Sequence, residues 1–89
     1  MPVGKLARFR AVFEEEASEF LIAQTNRKRR KLLDITYAIA ESPFANPDYS
    51  LPDADDRDVD HVATEGYVVS YWVDAPVERV VIVETEFEE

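Results

Sequence analysis

Between Leu6 and Phe13 the chain alternates: Ala7, Phe9, Ala11 and Phe13 fall on one face, Arg8 and Arg10 on the other. A period of two predicts a first strand over residues 6–13. The period then changes. Phe13, Ala17, Phe20, Leu21 and Gln24 follow helical spacing, and Glu14, Glu15 and Glu16 crowd the first turn, where carboxylates suit the helix dipole. The spacing predicts a helix over 13–24. Thr25-Asn26 reads as a break and a new N-cap. A second helix follows over 27–42, with Leu32, Leu33, Ile35, Thr36, Ile39 and Ala40 as its buried stripe. Pro43 ends it, because the residue before a proline avoids the α region.

From Pro43 to Asp58 no helical or strand pattern survives. The stretch holds Pro43, Pro47, Pro52 and five aspartates and reads as a loop. Three strands are expected after it, over 58–63, 67–73 and 77–85, with turns at Thr64-Glu65-Gly66 and Asp74-Ala75-Pro76. In the later strands both faces are apolar: Tyr67, Val69, Tyr71 and Val73 on one, Val68 and Trp72 on the other. Strands of that kind are covered on both sides. The helix pair covers one side and packs Phe9, Phe20, Leu33, Ile39, Val69, Tyr71 and Ile82 into the core. The other side is left for a partner.

Eighty-nine residues make one domain, residues 1–89, with room for a single core. The absence of cysteine excludes a disulfide framework and thiolate metal sites. No apolar run reaches the ~18 residues of a membrane span, and Met1-Pro2-Val3-Gly4-Lys5 lacks the apolar stretch of a signal peptide. The cytoplasm is the expected compartment. The net charge of −9 is unevenly divided, with +2 over residues 1–42 and −11 over 43–89. Such a chain gains little from counterion release on nucleic acid, so direct nucleic-acid binding is disfavoured. A local basic patch remains at Arg27-Lys28-Arg29-Arg30-Lys31, which reads as solvated helix surface or as a grip on an acidic partner. Asp53, Asp55, Asp56 and Asp58 fail as a calcium loop, which would need glycine at position 58 and glutamate at 64. They read instead as an acidic turn around Arg57. Neither a metal nor a cofactor is expected.

Several segments together are similar to the RelE/ParE family of toxin–antitoxin toxins and plasmid-stabilisation proteins. They are Arg8-Phe9-Arg10-Ala11-Val12-Phe13, the basic leucine helix from Arg27 to Leu33, and Ala40-Glu41-Ser42-Pro43. Asp53-Ala54-Asp55-Asp56-Arg57-Asp58-Val59 resembles the family's D-G-R approach to the final strands, with Asp56 in place of glycine. Gly66-Tyr67-Val68-Val69-Ser70-Tyr71-Trp72-Val73-Asp74 and Val80-Val81-Ile82-Val83 complete the set. The resemblance implies an α+β fold of order β-α-α-β-β-β, with a helix hairpin on one face of an antiparallel sheet. It also implies a cognate antitoxin as partner.

RelE-like members of the family cut messenger RNA on the ribosome with Lys and Arg on these strands; ParE-like members act on DNA gyrase. Here the position after Gly66-Tyr67, commonly Arg in the ribonucleases, is Val68, and the chain ends Glu84-Thr85-Glu86-Phe87-Glu88-Glu89. That departure leads to the expectation of a toxin-like component acting by protein–protein binding. With the helices on the opposite face, Val68, Trp72, Val81 and Val83 form the apolar patch expected to meet the partner. An active messenger-RNA endonuclease would have to rely on Arg57, His61 and Arg79, because cleavage needs a base, an acid and cations on the developing charge. His61 between Asp58 and Asp60 suggests a His–Asp pair, and Arg79 is expected to pair with Asp74 or Glu78. A third reading is a non-toxic domain that forms homodimers through these strands.

Overall fold

The computed structural model describes residues 9–45 and 47–87, so the expected strand positions 6–8 lie outside the described residues. The order is β1 (Arg10–Phe13), α1 (Glu15–Ala23), α2 (Asn26–Glu41), β2 (Tyr49–Pro52), β3 (Asp58–Thr64), β4 (Tyr67–Asp74) and β5 (Arg79–Phe87), with a 3-10 turn at Ala75–Val77. Thr25 does begin the second helix: its hydroxyl accepts the Lys28 backbone N–H at 3.3 Å. Arg29 ties the hairpin together from the other side. Its guanidinium donates to the carbonyls of Leu21, Ile22 and Gln24, at 3.3, 3.1 and 2.8 Å, around the C-terminal end of α1, where carbonyls run short of helical partners; the Leu21 carbonyl also accepts the Gln24 N–H.

The strands form one five-stranded sheet of order β1-β5-β4-β3-β2. Three of its four pairings are antiparallel; β1 runs parallel to β5, so the sheet is mixed. The helix hairpin lies on one face of it, as the RelE/ParE-like α+β reading requires. Within the segment expected to be loop, Tyr49–Pro52 forms an edge strand on β3. Four residues, the last of them a proline, carry too short a period to register as a strand. The β3–β4 hairpin turns on Glu65 (φ 51°) and Gly66 (φ 89°), both left-handed, as a tight two-residue turn demands.

Ile35, Ile39, Val69, Tyr71, Val80 and Ile82 fill the layer between helices and sheet, each less than 10 % exposed. Phe9 and Phe20 pack against its rim. Leu33 departs from expectation: it is 44 % exposed. The buried stripe of α2 runs through Leu32, Ile35, Thr36, Ile39 and Ala40, and Leu33 stands about 100° round the helix from Leu32. A bulge between Ser70 and Tyr71 shifts the β4–β5 register, pairing Ser70 with Glu84 and Tyr71 with Ile82, so Val83 is the extra residue. Thr85 and Ile82 both remain buried across it.

Candidate functional site

The face of the sheet away from the helices carries His61, Val68, Trp72, Arg79 and Val81; the candidate Val83, the extra residue of the β4–β5 bulge, has no partner in the ladder. Opposed residues in a ladder share a face, so the register alone composes it. Val12 pairs with Val81, Val81 with Trp72, and Val59 with Leu51, giving an apolar row across the sheet. One step along the strands a polar row follows: Glu84 opposite Ser70, Ser70 opposite His61, His61 opposite Tyr49. Val68 lies opposite Glu86 and Ala63 beyond that.

The apolar row is closed over at its centre. Val81 is 7 % and Val59 8 % exposed, whereas Val12 (39 %) and Leu51 (54 %) at the sheet edges are open. Surface available to a partner therefore comes from Val12, Leu51, Val68 and Trp72 more than from Val81. The Arg57 guanidinium lies over the Trp72 ring, 4.3 Å from its centroid. Trp72 Nε1 is buried with no hydrogen-bond acceptor.

Arg57 is positioned by the acidic turn. Asp53 Oδ1 accepts the backbone N–H groups of Asp55 and Arg57 at 2.8 and 2.9 Å, and Oδ2 accepts Arg57 Nε and Nη2, each at 3.0 Å. The Arg57 backbone N–H holds the Asp53 carboxyl below the usual carboxylate range; Asp55 N–H and the Arg57 guanidinium act in the same direction against partial burial. The expected acidic turn around Arg57 is thus present, and Asp55 adds a looser ion pair at 3.6 Å. Asp56 sits at φ 62°. That is the left-handed region glycine favours, where the D-G-R pattern has its glycine.

His61 bonds to Ser70 instead of an aspartate. Ser70 Oγ and His61 Nδ1 are 2.8 Å apart, with the donor set by the imidazole tautomer, and Tyr49 stacks on the imidazole at 4.5 Å and 8°. Asp60 is adjacent in the strand, so it points to the opposite face, and its carboxylate accepts the Ser50 hydroxyl at 2.5 Å. Neither Tyr49 nor Ser70 stands out in the sequence, because only strand pairing brings them to His61. Arg79 pairs with Asp74 at 3.4 Å, one of the two partners expected.

Chemically, the face holds one imidazole with a buried hydroxyl beside it, two arginines each engaged by aspartate, and Arg10, exposed opposite Arg79 on the edge strand and without an ion pair among the described residues. Glu84 and Glu86 border it. The expected cationic helix Arg27–Lys31 belongs to the opposite layer. Its acidic neighbour α1 does not neutralise it: among the described residues Lys31 pairs with Glu65 at 3.8 Å, Lys28 lies over the Phe87 ring at 5.3 Å, and Arg27 and Arg30 have no ion pair. Among the described residues no group of three metal-ligating side chains converges, and no helix is long and apolar enough to cross a membrane.

A mixed five-stranded sheet with a helix hairpin on one face defines the class: a two-layer α+β domain. No family model matches the sequence, and no curated protein matches it. Solved structures do. The toxin–antitoxin complex RelBE2 of Mycobacterium tuberculosis contains a chain superposing with TM-score 0.74 at 16% identity, over 94% of this chain and 95% of that one. The archaeal RelE–RelB complex of Pyrococcus horikoshii OT3 gives 0.69 at 16%, over 90% and 94%. The isolated RelE toxin of E. coli gives 0.68 at 21%, over 91% and 85%. The fold is that of the RelE toxins.

Proposed function

We propose that this chain is the toxin component of a type II toxin–antitoxin pair, kept in check by a cognate antitoxin and acting on its target by protein contact. What supports it first is the fold, matched over nine-tenths of the chain or more by toxins whose structures include antitoxin complexes. The observation that carries the mode of action is the state of Arg57 and Arg79 on the open face. Each is held by aspartate, and Glu84 and Glu86 stand alongside. The third arginine of the face, Arg10, stands opposite Arg79 on the edge strand β1, three strands from His61, so a phosphate beside His61 meets carboxylates and, among the described residues, no free cation. Catalysis of phosphoryl transfer needs the reverse. The same face offers Val12, Leu51, Val68 and Trp72 around a closed apolar row, and aromatic and aliphatic side chains of this kind anchor protein interfaces.

One observation favours a second reading. His61, bonded to Ser70 and stacked under Tyr49, is an ordered imidazole on that face and could serve as a base in an endonuclease. The test begins with induction of the gene alone and together with the adjacent reading frame. The proposal expects growth arrest from the first and both relief and co-purification from the second. Growth unaffected by induction, with no complex recovered, contradicts it.

A further inference from the structure

The two edges of the sheet are finished differently. β2 follows Pro47 and ends on Pro52, and proline blunts an edge because it has no N–H to offer a further strand. β1 contains no proline and has no strand on its outer side among the described residues. Arg10 and Glu14 donate their backbone N–H groups to the carbonyls of Glu78 and Ile82, at 3.0 and 2.9 Å. Alternate residues of a strand turn these groups to opposite sides, so Ala11 and Phe13 present theirs to the open edge. On the helix side of this edge, a groove of about 500 Å³ lies between the strand and α2, lined by Phe9, Phe13, Leu33 and Tyr37 together with Arg10 and Asp34. Leu33 and Tyr37 are both nearly half exposed.

We infer that this edge seats a second copy of the chain, its β1 antiparallel to the first, so that two five-stranded sheets join into one. The pairing goes beyond the antitoxin reading, does not depend on it, and uses a surface other than the later strands. Three observations select a second copy as the occupant. First, the edge is complementary to itself. The outward-facing groups fall on odd-numbered residues, so the register with the most bonds sets Ala11 opposite Ala11 of the other copy, with Phe9 opposite Phe13 on either side. That register forms about six hydrogen bonds between the chains, two for each bonded pair. It also sets Arg10 of each copy diagonally across from Glu14 of the other, about 7–8 Å apart along the backbone and within reach of long side chains. Both side chains are exposed, and neither has an ion pair among the described residues.

Second, the two-fold axis of this pairing stands normal to the sheet beside Ala11, so the two grooves meet over the new strand pair. Leu33 and Tyr37 of each copy are then covered by the matching groove of the other, as an isologous contact requires. Third, charge separates the edges. Residues 1–42 sum to +2 and residues 43–89 to −11, and the strand order places the aspartate turn between β2 and β3 at the far end of the sheet from β1. Joining copies at β1 keeps the two acidic ends farthest apart, whereas a contact through β2 brings like charges together. Both open faces end on the same side, so a dimer shows its target two copies of the Trp72 and His61 surface.

Sedimentation velocity of the purified full chain tests the pairing from about 1 to 200 μM, at about 0.15 M salt, where fields beyond about 8 Å are screened. The inference expects a monomer–dimer equilibrium. Ala11→Pro removes an outward N–H that β5 does not use and should weaken dimerisation by about tenfold or more. Arg10→Glu sets like charges against each other twice and should also weaken it by about tenfold; adding Glu14→Arg to it should restore affinity to within about threefold of wild type. Ala54→Glu, an added acid at the exposed far edge, should leave affinity within about twofold of wild type. Melting curves establish that each variant is folded, and if Ala11→Pro is not, the charge exchange decides alone. A wild type that stays monomeric across the range overturns the inference. So does a dimer that Ala11→Pro and Arg10→Glu leave intact, or a double variant no tighter than Arg10→Glu. None of these outcomes alters growth arrest or antitoxin co-purification, which test the paired-protein reading separately.

Discussion

The Arg57 guanidinium covers the Trp72 indole at 4.3 Å from the ring centroid. Trp72 is the only tryptophan in the chain, so the contact has its own fluorescence. Arg57→Ala removes a cation–π contact worth about 0.5–1 kcal/mol at a partly exposed site and opens the ring to water. The expected result is a red-shifted emission, with a loss of stability of about 1 kcal/mol in a denaturant titration. Unchanged emission would mean that the ring is shielded by something other than Arg57.

The latch is also sensitive to acid. Asp53 titrates below its ordinary value of 3.8 because it accepts the Arg57 N–H, with Asp55 N–H and the guanidinium adding to this. A carboxylate depressed in the folded state contributes stability above its unfolded pKa and loses it as pH falls through the lower, folded value. Acid titration of Trp72 emission should therefore show a transition below pH 3.8 that is missing in Asp53→Asn. A transition common to both proteins would assign it to other carboxylates.

At Asp56 the backbone asks for a residue the sequence does not supply. Its φ of 62° lies in the left-handed region, which costs a side-chain-bearing residue up to about 1–2 kcal/mol, less for Asp than for most. Asp56→Gly is expected to leave stability unchanged or raise it by up to about 1 kcal/mol, since glycine's chain entropy offsets part of the relief. Asp56→Val should lower it by about 1–2 kcal/mol. Thermal melts of the two variants check both directions.

How far the sequence discloses the fold depends on periodicity. The α2 stripe and the three later strands are legible because apolar spacing extends over many residues. β2 is not, since Tyr49–Pro52 draws its strand character from pairing with β3. The same limit applies to the site. Arg57, His61 and Arg79 are recognisable as residue types, but their partners are set by register: Ser70 reaches His61 from the next strand, and Asp60 is turned to the other face.

Leu33 and Ile82 separate the core from its edge. Both are leucine-like in sequence, yet Ile82 is 0 % and Leu33 44 % exposed. Ile82→Ala is expected to cost about 2–5 kcal/mol through lost burial and a cavity. Leu33→Ala should cost about 1 kcal/mol, because nearly half of its surface already meets water. Equal losses in chemical denaturation would put Leu33 back in the core.

On the proposed reading this RelE fold works by protein contact, and among the described residues no free cation stands beside His61 to stabilise a phosphate in transfer. Primer extension of reporter messenger RNA, after incubation of the purified protein with translating ribosomes, tests it most directly. Each missing cation costs about one to three powers of ten in rate, so the account predicts no codon-linked cleavage above the protein-free control, with wild type and His61→Ala indistinguishable. Robust cleavage at defined codons that disappears in His61→Ala would contradict it and make His61, with Ser70 and Tyr49 around it, the centre of a ribonuclease site.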